Sequence, residues 1–308
     1  MSEVLKVDPI GGQAVIEGVM MRGKHGVGLA VRTPSGEIHL KQEPIESLRA
    51  KYPVLKLPLI RGVAALVESL SLGMRMLNYS AAIAAGEDEK QAESGGWLPL
   101  LLGVVVMIAI FKVVPALVFA KLTPLIPNAL ALSAIEGMIR VGLFVGYLGA
   151  ISLMPEVKRL FQYHGAEHQV INCVEAGKEL TPDNALAFSP IHPRCGTSFL
   201  LITLLLQIAV FSLLGMQLSV LQRVAAQLCL LPVVAGISFE LIRLAGQTSL
   251  QGAKAGIAAR CALWVTLPGQ WLQRVTTRPA SRDQIEVAIA SLHAAMAVQP
   301  AGSAPQVP

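Results

Sequence analysis

The run WLPLLLGVVVMIAIFKVVPALVFA, residues 97–120, decides the class of this protein. Lys112 is its one charged residue, and the run exceeds the roughly 20 residues that a helix needs to cross the ~30 Å hydrocarbon core of a bilayer. Three further apolar runs cover residues 131–153, 198–218 and 220–245. Because backbone groups in lipid must pair within their own segment, each run is predicted to be a helix. The expected fold is a mainly α integral membrane protein with four transmembrane helices.

The composition agrees with a membrane protein and excludes several other classes. Of the 308 residues, 53% are hydrophobic and 15% are charged, whereas about a quarter are charged in soluble proteins. The mean hydropathy is +0.58. The formal net charge of +5 comes without a basic run interleaved with aromatic residues, so the lipid bilayer, not nucleic acid, is the expected partner. The four cysteines lack the paired spacings of a disulfide framework, which favours a reducing cytoplasm around the soluble parts.

Outside the spans, the sequence predicts a small N-terminal β unit and several cytoplasmic helical segments. Residues 14–21 are strand-like, and Pro34-Ser-Gly36 is a turn between two further strand-like runs. A helix over about 60–86 carries Arg61, Glu68 and Arg75 as one polar stripe, so it should pack against the bundle or lie in the membrane interface. The predicted segments are residues 1–58 (β unit), 59–96 (amphipathic helix and linker), 97–153 (first transmembrane hairpin), 154–197 (cytoplasmic loop), 198–246 (second hairpin) and 247–308 (interfacial segment, soluble helix and disordered tail).

The distribution of positive charge orients the spans. Lys158, Arg159, Lys178 and Arg194 lie between the second and third spans, whereas the two short hairpin loops carry almost no basic residues. Since Lys and Arg accumulate on the cytoplasmic side, both termini and the central loop should be cytoplasmic. The N-terminus has no signal-peptide pattern. The expected location is therefore a cytoplasmic membrane that the chain crosses several times.

The central loop contains the segments His164-Gly-Ala-Glu-His168 and His192-Pro-Arg-Cys195. Histidines four residues apart share one face of a helix and can reach one ion. The order His-x-x-Glu-His is the inverted zincin pattern, in which the glutamate, here Glu167, is the general base. Three imidazoles and one thiolate suit a divalent metal, with zinc the expected ion. A purely hydrogen-bonded polar loop remains the alternative.

Six further residues are candidates to support this site. Glu175 is a candidate oxygen ligand or hydrogen-bond partner of a histidine. Glu240 and Arg243 lie near the cytoplasmic end of the last span and could orient a ligand or bind an anionic substrate. The glycine-rich segment 11–23 could fold over the same face and bring Gln13, Glu17 and Arg22. Four protein ligands would make a closed structural site, whereas three would leave a position for catalysis.

Several of these segments together resemble the YqhQ-like family of bacterial membrane proteins of unknown function. The resemblance runs from about Ile10 to Leu292 and rests on four motifs: Gly11-Gly-Gln-Ala-Val-Ile-Glu-Gly-Val-Met-Met-Arg-Gly23, Phe161-Gln-Tyr-His-Gly-Ala-Glu-His168, Ile171-Asn-Cys-Val-Glu-Ala-Gly177 and His192-Pro-Arg-Cys-Gly-Thr-Ser-Phe199. Members are sometimes described as predicted metal-dependent enzymes. The resemblance therefore implies a protein of the bacterial inner membrane with a metal site at these histidines.

Three functions are compatible with the sequence. The first is a metal-dependent hydrolase that meets a lipid-linked or membrane-associated substrate at the cytoplasmic face. The second is a non-catalytic scaffold or assembly factor in which the metal holds the loop to the bundle. The third is a small transporter, indicated by Lys112, Glu136 and Arg140 within the spans, which four spans could form only as a homo-oligomer.

Overall fold

The computed structural model describes residues 10–45, 48–87, 98–214, 218–251 and 254–299. Helices dominate these residues, and the predicted N-terminal β unit is confirmed as a four-stranded sheet. The elements are β1 (Gly11–Val15), β2 (Gly18–Arg22), β3 (Gly26–Arg32), β4 (Ile38–Pro44), α1 (Leu48–Lys51), a 3-10 turn (Pro53–Lys56), α2 (Ile60–Ala84), α3 (Leu98–Ile108), a π-helical turn (Ala109–Val113), α4 (Val114–Leu122), α5 (Ala129–Ile151), α6 (Pro155–Glu175), α7 (Pro182–Leu186), α8 (Gly196–Leu214), α9 (Val220–Gln251), α10 (Ile257–Thr276) and α11 (Arg282–Ala297).

The sheet is an antiparallel meander in the order β1-β2-β3-β4. Residues 14–21, which look like one strand in the sequence, are divided between β1 and β2 by a two-residue turn. Val15 pairs with Gly18 across that turn, and Glu17 adopts a positive φ of 51°. Gly18 is required there because a Cβ would lie 2.2 Å from the carbonyl oxygen of Ala30. The predicted turn at Pro34-Ser-Gly36 joins β3 to β4, with Gly36 at φ 89°.

Helices cover both faces of the sheet. Because side chains alternate along a strand, Val19 and Met21 pack with α6 and α11, whereas Val15 and Met20 pack with α2. The covering helix α11 is the last described element of the chain, and Ser291 within it donates a hydrogen bond to the Gly28 carbonyl at 2.9 Å. The first and last described parts of the chain therefore share one core.

The helix predicted over residues 60–86 is α2, and it packs between the sheet and α9. Its Gly62 lies against Phe239 of α9, where a Cβ would come within 2.9 Å of the phenylalanine Cβ. Each charged residue of the predicted stripe forms an ion pair with another element: Arg61 with Glu240 at 2.6 Å, Glu68 with Arg22 at 3.1 Å and Arg75 with Glu43 at 2.6 Å. The stripe thus connects α2 to β2, β4 and α9.

Within the described residues, three helices are long and apolar enough to span a membrane: Leu101–Leu122, Ala131–Ile151 and Val220–Thr248. The third of the four predicted spans, residues 198–218, is not among these three. Its apolar helix within the described residues, Gly196–Ser212, is shorter than the other three, and residues 215–217 lie outside the described part of the chain. Helix α8 packs against α5, α9 and α10. Trp97, the linker at 88–96 and the tail from Pro300 lie outside the described residues.

Candidate metal centre

His164 and His168 lie on adjacent turns of α6 with their ring centroids 4.5 Å apart. The Nδ1 of His164 donates to the Thr276 carbonyl at 2.8 Å, and the Nδ1 of His168 donates to the Pro190 carbonyl at 2.7 Å. A carbonyl can only accept, so both rings carry their proton on Nδ1 when neutral. Both Nε2 atoms are then lone-pair donors, which is the arrangement of histidines that bind metals.

Cys195 completes this group from the residue before α8. Its Sγ lies 3.3 Å from the Nε2 of His164, and the backbone N–H of Thr197 donates to the sulfur at 3.4 Å. The ligand atoms of the two histidines and Cys195 all lie within 4.8 Å of one another. Nitrogen and sulfur ligands of one tetrahedral zinc are separated by about 3.5 Å, as follows from bonds of about 2.0 and 2.3 Å. The group is therefore compact enough to hold one ion after small side-chain movements.

The pKa values of Cys195 and His168 are both lowered, and the lowering at Cys195 depends on a protonated His168. Burial alone would raise the pKa of the Cys195 thiol, but the His168 imidazole and the Thr197 N–H hold that pKa below its ordinary value. Burial lowers the pKa of His168, so its neutral imidazole is favoured. A thiolate and a neutral imidazole are the forms that bind a metal.

Glu167 lies between the two histidines in sequence, and only 5% of it is exposed. Burial raises the pKa of its carboxyl group to about 7, while His164 opposes that rise. The covering element is β1, because a Cβ on Gly12 would lie 2.9 Å from the Glu167 carboxyl carbon. The expectation that the glycine-rich segment folds over this face therefore holds for its backbone at Gly12.

His192 lies beside the group, its ring 5.7 Å from that of His168, but its nitrogens contact other partners. Its Nε2 is 3.2 Å from the Glu175 carboxylate, and its Nδ1 accepts from the Arg194 backbone N–H at 3.3 Å. Arg194 also pairs with Glu175 and donates to the Ile10 carbonyl at 2.9 Å. These bonds lower the pKa of Glu175 against the effect of burial. The structure thus brings His192 and Glu175 together as a neighbouring network.

The remaining predicted residues form contacts away from the three ligands. Gln13 lies against α2, where its amide oxygen would be 2.1 Å from a Cβ on Gly73. The other four are held in ion pairs: Glu17 with Arg159, Arg22 with Glu68, and Glu240 with both Arg61 and Arg243. Glu240 and Arg243 accordingly belong to the contact between α2 and α9.

Two positioning residues are absent from the sequence-based set. The fully buried Gln273 of α10 accepts from the His192 N–H at 2.9 Å and donates to the His192 carbonyl and the Ser198 hydroxyl. Gly165 lets α6 approach the chain after α10, since a Cβ would lie 1.8 Å from the Arg278 carbonyl oxygen. Gln273 lies in an apolar, Trp-containing run that suggested a membrane interface, so its polar contacts had no sequence signal of their own.

Comparisons with known proteins identify relatives over most of the chain. The family model described as "Protein of unknown function (DUF1385)" matches residues 57–298. The "Uncharacterized protein YqhQ" of Bacillus subtilis (strain 168) is 36% identical over 307 residues, which cover 94% of this chain and 92% of the relative. No solved structure matches. The match and the identity show that this chain belongs to the DUF1385, YqhQ-like family of proteins of unknown function.

Proposed function

We propose that this protein is a metal-dependent hydrolase whose His164, His168 and Cys195 hold one zinc ion at the membrane surface. The observation that carries the proposal is the pair of Nδ1 bonds to the Thr276 and Pro190 carbonyls. These bonds leave both Nε2 atoms as lone-pair donors, and the ligand atoms of the two histidines and Cys195 lie within 4.8 Å of one another. Two imidazoles and a thiolate favour zinc over magnesium or calcium, which prefer oxygen ligands.

The proposal of catalysis rests on the number of ligands. His192 and Glu175 are bonded to each other, and both also bond Arg194, so neither is free to complete the shell without breaking these contacts. Three protein ligands leave one tetrahedral position, which is typical of catalytic zinc. A zinc ion held there would supply Lewis-acid chemistry for hydrolysis. Glu167, which is buried and interacts electrostatically with His164 and Cys195, is proposed to accept the proton of the attacking water and return it to the leaving group.

The substrate class follows from the position of the site. Cys195 directly precedes α8, and α10, which carries the Thr276 carbonyl, exposes Trp264 and Trp271. Exposed tryptophans are enriched at the boundary between lipid and water. We therefore propose a lipid-linked or membrane-associated substrate, reached on the predicted cytoplasmic face.

The second candidate is a structural zinc site in a membrane scaffold. It is favoured by the burial of Glu167, His168 and Cys195, because a fourth ligand from Glu167 would close the shell. The two candidates differ in what Glu167 does. A structural ligand contributes to stability, whereas a general base contributes to turnover.

One set of variants tests both candidates in the full-length protein purified in detergent. Zinc content by mass spectrometry should be near one per chain, should fall in the double variant His164→Ala plus His168→Ala, and should stay in the control His293→Ala. Zinc retained in the double variant would refute the ligand assignment. The hydrolase is supported if Glu167→Gln keeps its zinc and the wild-type unfolding temperature but no longer cleaves a total lipid extract in a zinc-dependent way. Loss of zinc and of stability supports the scaffold.

A further inference from the structure

A second polar cluster lies among the membrane helices, at the end opposite to the metal centre. It contains Glu136 and Arg140 of α5, Arg223 of α9 and Lys112 of the π-helical turn. Gln207 of α8 accepts a hydrogen bond from Lys112 and lies twelve residues after Cys195, or about 18 Å along the helix axis. The cluster is therefore separate from the histidines and from the chemistry proposed for them.

Glu136 is the one carboxylate in this cluster, and two guanidinium groups contact it. Arg140 donates to one oxygen at 2.5 Å, and Arg223 donates to both oxygens at 3.1 and 2.6 Å. All three side chains are at least 96% buried. Lys112 is close enough to interact electrostatically with both Arg140 and Glu136. Three cationic groups thus surround one anion, an excess of positive charge that is costly among apolar helices.

Buried polar atoms in this region also have unused hydrogen-bonding capacity. The Nε of Arg140 and both side-chain amide atoms of Gln227 have no partner among the described residues. Gln227 lies one turn after Arg223 on the same face of α9, and its backbone carbonyl accepts from Gln207 at 2.8 Å. Buried groups of this kind normally find a partner. The π-helical turn at Lys112 is a second sign, since such turns often occur at functional sites.

We propose that Lys112, Arg140 and Arg223 form a binding site for a phosphate group. A phosphomonoester carries about −1.5 to −2 charges at neutral pH, which matches the excess of two cations. The Nε of Arg140 has no other partner in the described part of the chain, and the guanidinium donors that Glu136 leaves unused can bond phosphate oxygens, while Lys112 adds a compact positive charge. The ligand is a lipid with a phosphomonoester headgroup or soluble phosphate, because both present the same chemistry. Glu136 acts in this site as the anchor that holds the two arginines in place.

The test uses delipidated full-length protein in a detergent without phosphate. Inorganic phosphate and dioctanoyl phosphatidic acid are titrated separately, and binding is followed by native mass spectrometry and by the rise in unfolding temperature. Wild-type protein should bind at least one of the two probes. Lys112→Gln, which leaves both arginines on Glu136, should weaken that binding about tenfold or more, as expected for loss of a charge-assisted contact. Arg223→Gln should weaken it at least as much.

Arg282→Gln is the matched control, because it removes an exposed positive charge that pairs with Asp183 outside the membrane helices. It should bind like wild type. Binding of phosphatidic acid alone identifies a lipid headgroup, and equal binding with competition by inorganic phosphate identifies a soluble ligand. The proposal is overturned if neither probe binds the wild type, or if Lys112→Gln binds as tightly as the wild type does. Neither of these two overturning outcomes depends on whether Arg223→Gln folds.

Discussion

Replacing Gly165 by alanine should weaken the metal centre without touching a ligand. The His164 ring is oriented by the Thr276 carbonyl, a backbone group that no substitution removes. A substitution at Gly165 can displace that carbonyl indirectly, because α6 contacts the chain after α10 at this glycine. The Arg278 N–H donates to the Phe161 carbonyl at 3.0 Å in the same contact.

The magnitude follows from the clash. The new Cβ would lie 1.8 Å from the Arg278 carbonyl oxygen, about 1.5 Å closer than the ~3.3 Å of a close C···O contact. Overpacking costs about 1–3 kcal/mol, and the upper end applies because the obstructing atom is backbone. Alanine regains about 1 kcal/mol of helix propensity. The net destabilisation should be about 2 kcal/mol. The displaced Thr276 carbonyl should reduce zinc affinity about 10–100-fold, the usual effect of losing a partner behind a ligand.

The assay is thermal unfolding of purified protein with and without zinc, together with competition against a zinc chelator. Gly146→Ala is the control, since this helical glycine has nothing within 4 Å of its Cβ position. It should leave zinc affinity unchanged and should not lower the unfolding temperature, because it gains the same helix propensity without a clash. The reasoning fails if Gly165→Ala binds zinc as tightly as the wild type and unfolds at the same or a higher temperature.

Three further predictions follow from the site and the topology. Gln273→Leu should destabilise the protein by several kcal/mol, because both backbone groups of His192 and the Ser198 hydroxyl lose their partner, at a cost of roughly 1–3 kcal/mol each. The control Gln270→Leu breaks only a bond within α10 and should change the unfolding temperature far less. Equal effects of the two variants would contradict the assigned network. In a Cys229→Ser, Cys261→Ser background, zinc removal should speed maleimide labelling of Cys195 but not of Cys173, whose burial raises the pKa of its thiol; a zinc-independent rate at Cys195 would count against its ligand role. Reporter fusions at Pro127 and Gln217 should give a non-cytoplasmic signal and a fusion at Gly177 a cytoplasmic one, and the opposite pattern would invert the predicted orientation.

The sequence placed the candidate ligands that one helix supplies more directly than those that folding brings together. His164 and His168 are four apart, and the period of α6 places them together whatever surrounds it. The position of Cys195 depends on how α8 begins, and the same loop directs His192 toward Glu175. Spacing alone could not separate these two candidates, because His192 and Cys195 lie in one short turn. The two residues differ because His192 bonds Glu175, at the end of α6, and Arg194, in the loop.

Hydropathy predicted the three helices of the described chain that are long and apolar enough to cross a membrane. The other predicted span, residues 198–218, overlaps α8, whose described apolar part is shorter and which packs against three other helices. In the β unit, the split between β1 and β2 was missed because residues 14–21 contain no Asn-Gly or Asp-Gly turn signal. The close approach of Gly18 to Ala30 explains why a glycine follows the turn.

The packing of α11 on the sheet has a consequence for biosynthesis. Val19 and Met21 leave the ribosome early, but residues 282–297 that cover them are translated only after every membrane helix. During that interval the sheet carries an uncovered apolar face, the kind of surface that recruits chaperones or aggregates. Maturation of the water-exposed part of the protein must therefore follow membrane insertion. A premature stop before residue 282 would leave an inserted but incompletely folded chain, a natural target for quality-control proteolysis.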